Sequence, residues 1–228
     1  QLNLGILAFT IGEWSCARLH LRSALHLFRS LQRLRLQAKS MLQLGQLYWQ
    51  TGRSQRATLL GSWALASAQQ HGFQDIEAEA WLLRAQLLTQ RVFDAETLAL
   101  YQKAESLWHK LGCVQQASVA RSKTAYYLLT HGELPRAMQI VEALLPLLAH
   151  PNSLAGQGAN EIALICYQVL AAHQDPRARA VLQGAIDQLQ RQAESINSVV
   201  QSRSFWQEIP ANRTILALAK EHRMISAP

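Results

Sequence analysis

Leu44-Gly45-Gln46-Leu47-Tyr48-Trp49-Gln50-Thr51-Gly52 has echoes along the whole first part of the chain. Gly45 is preceded by Gly5 forty residues earlier and followed by Ala85 and Ala125 at the same interval. Gly52 belongs to a second register, Gly12, Gly52 and Gly132, with Val92 as the one miss. Two more registers follow: Ala17, Ala57 and Ala137, interrupted by Thr97, and Ala24, Ala64 and Ala104, failing at Leu144. A fixed period of this length marks one supersecondary unit copied several times. The small residues give the unit its form. A glycine or alanine in the middle of a first helix lets a second helix approach closely, and the alanines of the second helix form the other side of that contact. Glycine at the turn supplies the left-handed backbone that ends the first helix and reverses the chain. Each unit therefore reads as a helical hairpin.

Composition agrees. Gly 11 and Pro 6 in 228 residues is about half of average usage, while Leu, Ala and Gln recur throughout, which points to an all-α chain. The length allows one large domain or two small ones. With 49% apolar and 16% charged residues and a mean hydropathy of -0.04, a disordered tail and a membrane span are both excluded. Cys16, Cys113 and Cys166 form no CxxC pair, so they are expected to be reduced, buried thiols in a cytoplasmic protein. The net charge of +7 is uneven, because eight basic residues and no acid lie between Glu13 and Asp75, and the remainder sums to -1. The chain opens on Gln1, which suggests a fragment of a longer polypeptide whose first hairpin is truncated.

The pattern Leu44-Gly45-x-x-Tyr48-x-x-x-Gly52, with Ala57 and Ala64 behind it, resembles the tetratricopeptide repeat, stretched from its usual 34 residues to 40. Looser copies are Leu4-Gly5 with Gly12, Ala17 and Ala24; Ala85 with Tyr101 and Ala104; and Ala125 with Gly132 and Ala137. The resemblance implies an all-α, right-handed superhelical solenoid. Five hairpins are expected over residues 1–200, pairing 1–11 with 13–33, 36–51 with 53–71, 74–91 with 94–111, 114–131 with 133–149, and 155–173 with 176–196. Residues 201–228 would form a C-terminal cap of the same domain, with Phe205, Trp206, Ile209, Ile215, Leu216 and Leu218 folding back and Pro210 opening the closing helix. Pro146 should kink or end its helix. The segments Tyr167–Ala172, Asp175-Pro176-Arg177-Ala178, Arg203-Ser204-Phe205-Trp206 and Ile209–Arg213 look like the end of the tetratricopeptide region in large bacterial signal-transduction ATPases, nucleotide cyclases and transcriptional regulators. Gln174 departs from that pattern, where glycine is common before Asp-Pro-Arg, and so does Trp206, where leucine is common.

No phosphate loop, dinucleotide fingerprint, zincin, esterase-elbow or paired-cysteine motif occurs, so no catalytic residue, metal ligand or cofactor site is assigned. His71, His131, His150 and His173 fall at expected helix ends, where an imidazole suits the negative end of the helix dipole. On the repeat template, Lys39, Gln43, Gln46, Trp49, Gln50, Gln86, Gln90, Lys123 and Tyr126 occupy the inner groove built by the first helices. Amides and aromatics with few charges suit an extended peptide or a helix. Arg18, Arg22, Arg29 and Arg33 fall within an arc of about 60° on the expected second helix of unit one and form a basic stripe. That stripe suits a solvated face, a docking surface or nucleic acid. The expectation is a non-enzymatic scaffold or sensory domain that binds a protein or peptide, upstream domains of the same polypeptide and a second copy included. The alternative is a nucleic-acid-associated or small-ligand effector domain using the basic N-terminal face.

Overall fold

Most helices here run 15–18 residues because the chain turns on a fixed schedule. A computed structural model describes residues 1–89, 94–148 and 157–224, and the described residues contain helices and no strand. In chain order they are α1 (Leu2–Thr10), α2 (Trp14–Ser30), α3 (Leu34–Gln50), α4 (Ser54–His71), α5 (Gln74–Leu88), α6 (Ala95–Lys110), α7 (Val114–Thr130), α8 (Leu134–Leu148), α9 (Gln157–Ala172), α10 (Arg177–Glu194), α11 (Val199–Gln207) and α12 (Pro210–Glu221).

Positive φ angles recur every twenty residues, at Gly12, Gln32, Gly52 and Gly72 and again at Gly112 and Gly132. Each follows a helix and closes it in the same way. The amide of the next residue reaches back five positions, as in Arg53 N to Tyr48 O at 2.7 Å, while Gly52 N bonds Trp49 O at 3.1 Å. This Schellman geometry satisfies carbonyls that a helix end would otherwise leave bare and reverses the chain in three residues. The turns between hairpins thus use the same device as those within them. At Gln32, φ +52, no glycine announces it, and a side chain in this conformation costs about 1 kcal/mol. The position of Gln32 also corrects the expected second helix. Arg33 N bonds Phe28 O, so α2 ends at Ser30 and Arg33 instead sits at the N-cap of α3.

The small-residue registers are packing positions. Gly5, Gly45, Ala85 and Ala125 are all buried, as are Ala17, Ala57, Ala137, Ala24, Ala64 and Ala104, and so are Thr97 and Leu144, which interrupt the alanine registers; Val92, the miss in the turn register, lies outside the described residues. Thr97 is accommodated because Asp94 caps α6, accepting from both the Thr97 amide (2.6 Å) and its hydroxyl (2.9 Å). A Cβ at Gly45 would stand 3.0 Å from Leu83 Cδ2 and 3.5 Å from the Ala57 carbonyl. At Gly5 it would meet Leu21 Cγ at 2.7 Å, a distance side chains do not tolerate.

The chain divides into two units, Gln1–Ala117 and Ser118–Pro228, the division falling in the first turn of α7. In the first unit each helix from α1 to α6 packs on the next, and the alternate helices α1, α3 and α5 also touch one another. Its core gathers Phe9, Leu21, Leu44, Leu47 and Tyr48, while Ala78, Trp108 and Ala117 form a smaller cluster. In the second unit α8, α9 and α10 pack in series, and α12 lies against α9 and α10 with Asn212, Ile215 and Ala219 buried. Phe205 and Ile209 are buried too, while Trp206, Leu216 and Leu218 are half-buried. Pro146 neither starts nor stops α8, which runs on to Leu148. Among the thiols, Cys166 alone is buried, with its pKa pushed up to about 12 by that burial. Cys113 is half-buried and Cys16 exposed, against the expectation for both.

Candidate partner-binding surfaces

The inner-face residues of the first unit are held by rungs between α3 and α5. Lys39 Nζ donates to Glu79 Oε1 at 2.6 Å, and Gln43 Nε2 donates to Glu79 Oε2 at 3.4 Å. One turn earlier Arg35 donates to Asp75 Oδ2 at 2.9 Å. Both ion pairs join residues 40 apart, so the repeat period itself places acid opposite base. Lys39 and Gln43 are therefore bracing groups between neighbouring first helices, and Gln43 is buried. Gln46, Gln50 and Gln86 remain half-buried on these helices. Trp49, also half-buried, rests on the core cluster of Phe9, Leu44 and Tyr48. Gln90 and His150 lie outside the described residues.

In the second unit Lys123 is buried and ion-paired with Glu161 across α7 and α9, whereas Tyr126 is 40% exposed. Of the sequence-derived groove residues, Tyr126 alone presents a large aromatic openly to solvent. The most exposed tryptophan is one the groove assignment left aside, Trp63 on α4, at 50%. Its outward position has no signal in residue type; only its place in the α4 period distinguishes it.

The histidines at helix ends act locally. The Nδ1 of His71 donates to the Ser67 carbonyl (2.9 Å) and that of His131 to Tyr127 (2.8 Å), each satisfying a carbonyl of a last turn. Among the described residues no cluster of three or more His, Cys, Asp or Glu side chains could hold a metal ion. No described helix is long and apolar enough to cross a membrane.

Two polar constellations in the second unit were not legible in the sequence. Arg177 holds Asp175 by several hydrogen bonds and also grips Glu142, and these hydrogen bonds keep Asp175 down at about 2 and lower Glu142. Asn160, 2% exposed, donates from Nδ2 to Gln192 Oε1 (2.7 Å) and Asn212 Oδ1 (3.3 Å), and Asn212 in turn donates to the Phe205 carbonyl (3.0 Å). This buried chain of amides ties α9, α10, α11 and α12 together. Nearby, Tyr167 and His222 share a hydrogen bond of 2.8 Å at the wall of a cleft of about 360 Å³, and burial raises the Tyr167 pKa with help from the Glu221 charge.

On α2 the arginines stand apart. Arg22 and Arg29 are exposed and Arg18 is half-buried, and none of these, nor Arg33, forms an ion pair among the described residues. Compared with known proteins, the chain matches no family description and no curated protein.

Proposed function

We propose that this chain is a protein-interaction region of a larger bacterial regulatory protein: a tetratricopeptide-like solenoid that takes a protein or peptide partner on the face of its first helices and has no catalytic chemistry of its own. The observation that carries this reading is the direct contact of α1, α3 and α5, which aligns first helices side by side and leaves Gln46, Trp49, Gln50 and Gln86 half-buried on them. Lys39–Glu79 and Arg35–Asp75 stiffen that layer. A surface held rigid before binding loses less entropy when a partner docks, and side-chain amides can pair with a peptide backbone.

The test is site-specific photocrosslinking. A benzophenone amino acid at Gln46 or Gln86 should capture a polypeptide in cells of the native host, and the same group at Ser195, exposed at the C-cap of α10, should not. No adduct at either groove position, or equal adducts at Ser195, would overturn the groove assignment.

A further inference from the structure

The outer face of α2 combines unpaired arginines with an exposed leucine. Its buried side is Ala17, Leu21 and Ala24. About 110° round the helix from that side, Arg18, Arg22 and Arg29 fall within an arc of about 40° and extend over about 16 Å, or three turns of helix. Leu19, about 80° beyond the arginines and pointing away from the buried side, is 65% exposed. Leu59 holds the same place in the next period, with Trp63 one turn further along α4. Leu59 is 49% exposed. Single exposed leucines are ordinary; apolar residues recurring at one position of the repeat beside a charged stripe are a patterned surface.

We propose that this face of the second helices is a docking surface for an acidic amphipathic helix, whose carboxylates meet Arg18, Arg22 and Arg29 and whose apolar residues cover Leu19. Charge complementarity selects the occupant, since the eight basic residues between Glu13 and Asp75 have no acid among them. The leucines select a protein over a polyphosphate. A nucleic-acid backbone would satisfy the guanidinium groups and leave Leu19 wet, whereas an amphipathic helix covers both. The arginine spacing of four and seven residues matches carboxylates on one face of a partner helix. This surface lies on the second helices, so it stands or falls independently of the first-helix groove.

The experiment is selection of a random peptide library on phage against the whole chain at physiological salt. The expected outcome is enrichment of acidic peptides carrying Leu, Phe or Trp, whose affinity falls about tenfold or more in the R18E/R22E/R29E variant and weakens in Leu19→Ser. Binding should be unchanged in Gln46→Ala, which reports on the other face. R18Q/R22Q/R29Q serves as a milder variant if the charge reversal alters the circular dichroism spectrum. The proposal is overturned if nothing is enriched, if the enriched peptides are not acidic, or if their binding survives the arginine changes. It is also overturned if a DNA duplex of about 20 base pairs or phosphatidylserine vesicles bind through the same arginines more tightly than the peptides do.

Discussion

From Gly12 to Gly72, and again from Gly112 to Gly132, the chain turns at twenty-residue intervals, whereas from α9 onward the left-handed turns among the described residues fall off that schedule, at Gln174 and Arg223. The two regions are held differently. In the periodic part, close approaches at Gly5 and Gly45 and ion pairs between residues 40 apart repeat one solution. The C-terminal part keeps one close approach, at Gly158, whose Cβ would meet Val119 Cγ2 at 2.6 Å, and adds single long-range contacts: Asn160 to Gln192 and Asn212, and Arg177 to Glu142. A repeating arrangement can be specified by small residues at set positions. A closing arrangement has no copy to follow and uses hydrogen bonds whose satisfaction depends on one geometry.

The largest effect should come from filling a close approach. Gly45→Leu must push Leu83 and then the α4 backbone aside, and it should cost about 2–3 kcal/mol in urea unfolding; an unchanged midpoint would break the register. In the aperiodic region, Asn160→Ala strips donors from Gln192 and Asn212 and should cost about 2 kcal/mol. If it costs nothing, the amide chain does not hold α12 in place.

Much of this was readable from the sequence. The glycine and alanine registers were visible because a close helix contact accepts only small side chains, and the glycine turns were visible because few residues tolerate positive φ. Gln32 and Gln174 adopt that conformation without advertising it, which is why the sequence pattern carries α2 on to residue 33 and joins Arg33 to the stripe. The Arg35–Asp75 and Lys39–Glu79 rungs were present in the period but hidden behind an assignment of Lys39 to partner binding. Asn160 could not be read, because its partners lie 32 and 52 residues away and share no period with it. Nor does residue type distinguish Trp49, on the core, from Trp63, facing outward.

A smaller effect sharpens the same contrast. Gln174→Gly relieves a left-handed side chain at φ +57 but loosens the unfolded chain, and the difference should leave the protein about 0.5–1 kcal/mol more stable. Gly184→Ala, in α10 with open space around its Cβ position, should gain a similar amount from helix propensity. Smallest is the acid response of the Arg177 cluster. Asp175 is lowered to about 2 by hydrogen bonds from Arg177, so its contribution is present above the unfolded value near 4 and lost as pH falls from there toward 2. Asp175→Asn should flatten the melting temperature over that window, and an equally steep profile in the variant would remove Asp175 from the account.

Removing one period tests the repeat directly. Deleting residues 34–73 takes out α3 and α4 and leaves Arg33, already an N-cap, to open α5 in place of Phe73. In a chain where each hairpin packs on its neighbours through equivalent faces, the shortened protein should keep its mean residue ellipticity and melt cooperatively. Deleting residues 34–53 alone, half a period, should not. Loss of cooperative melting in the full-period deletion, or identical behaviour of the two deletions, would contradict the forty-residue repeat on which the fold and both proposed surfaces rest.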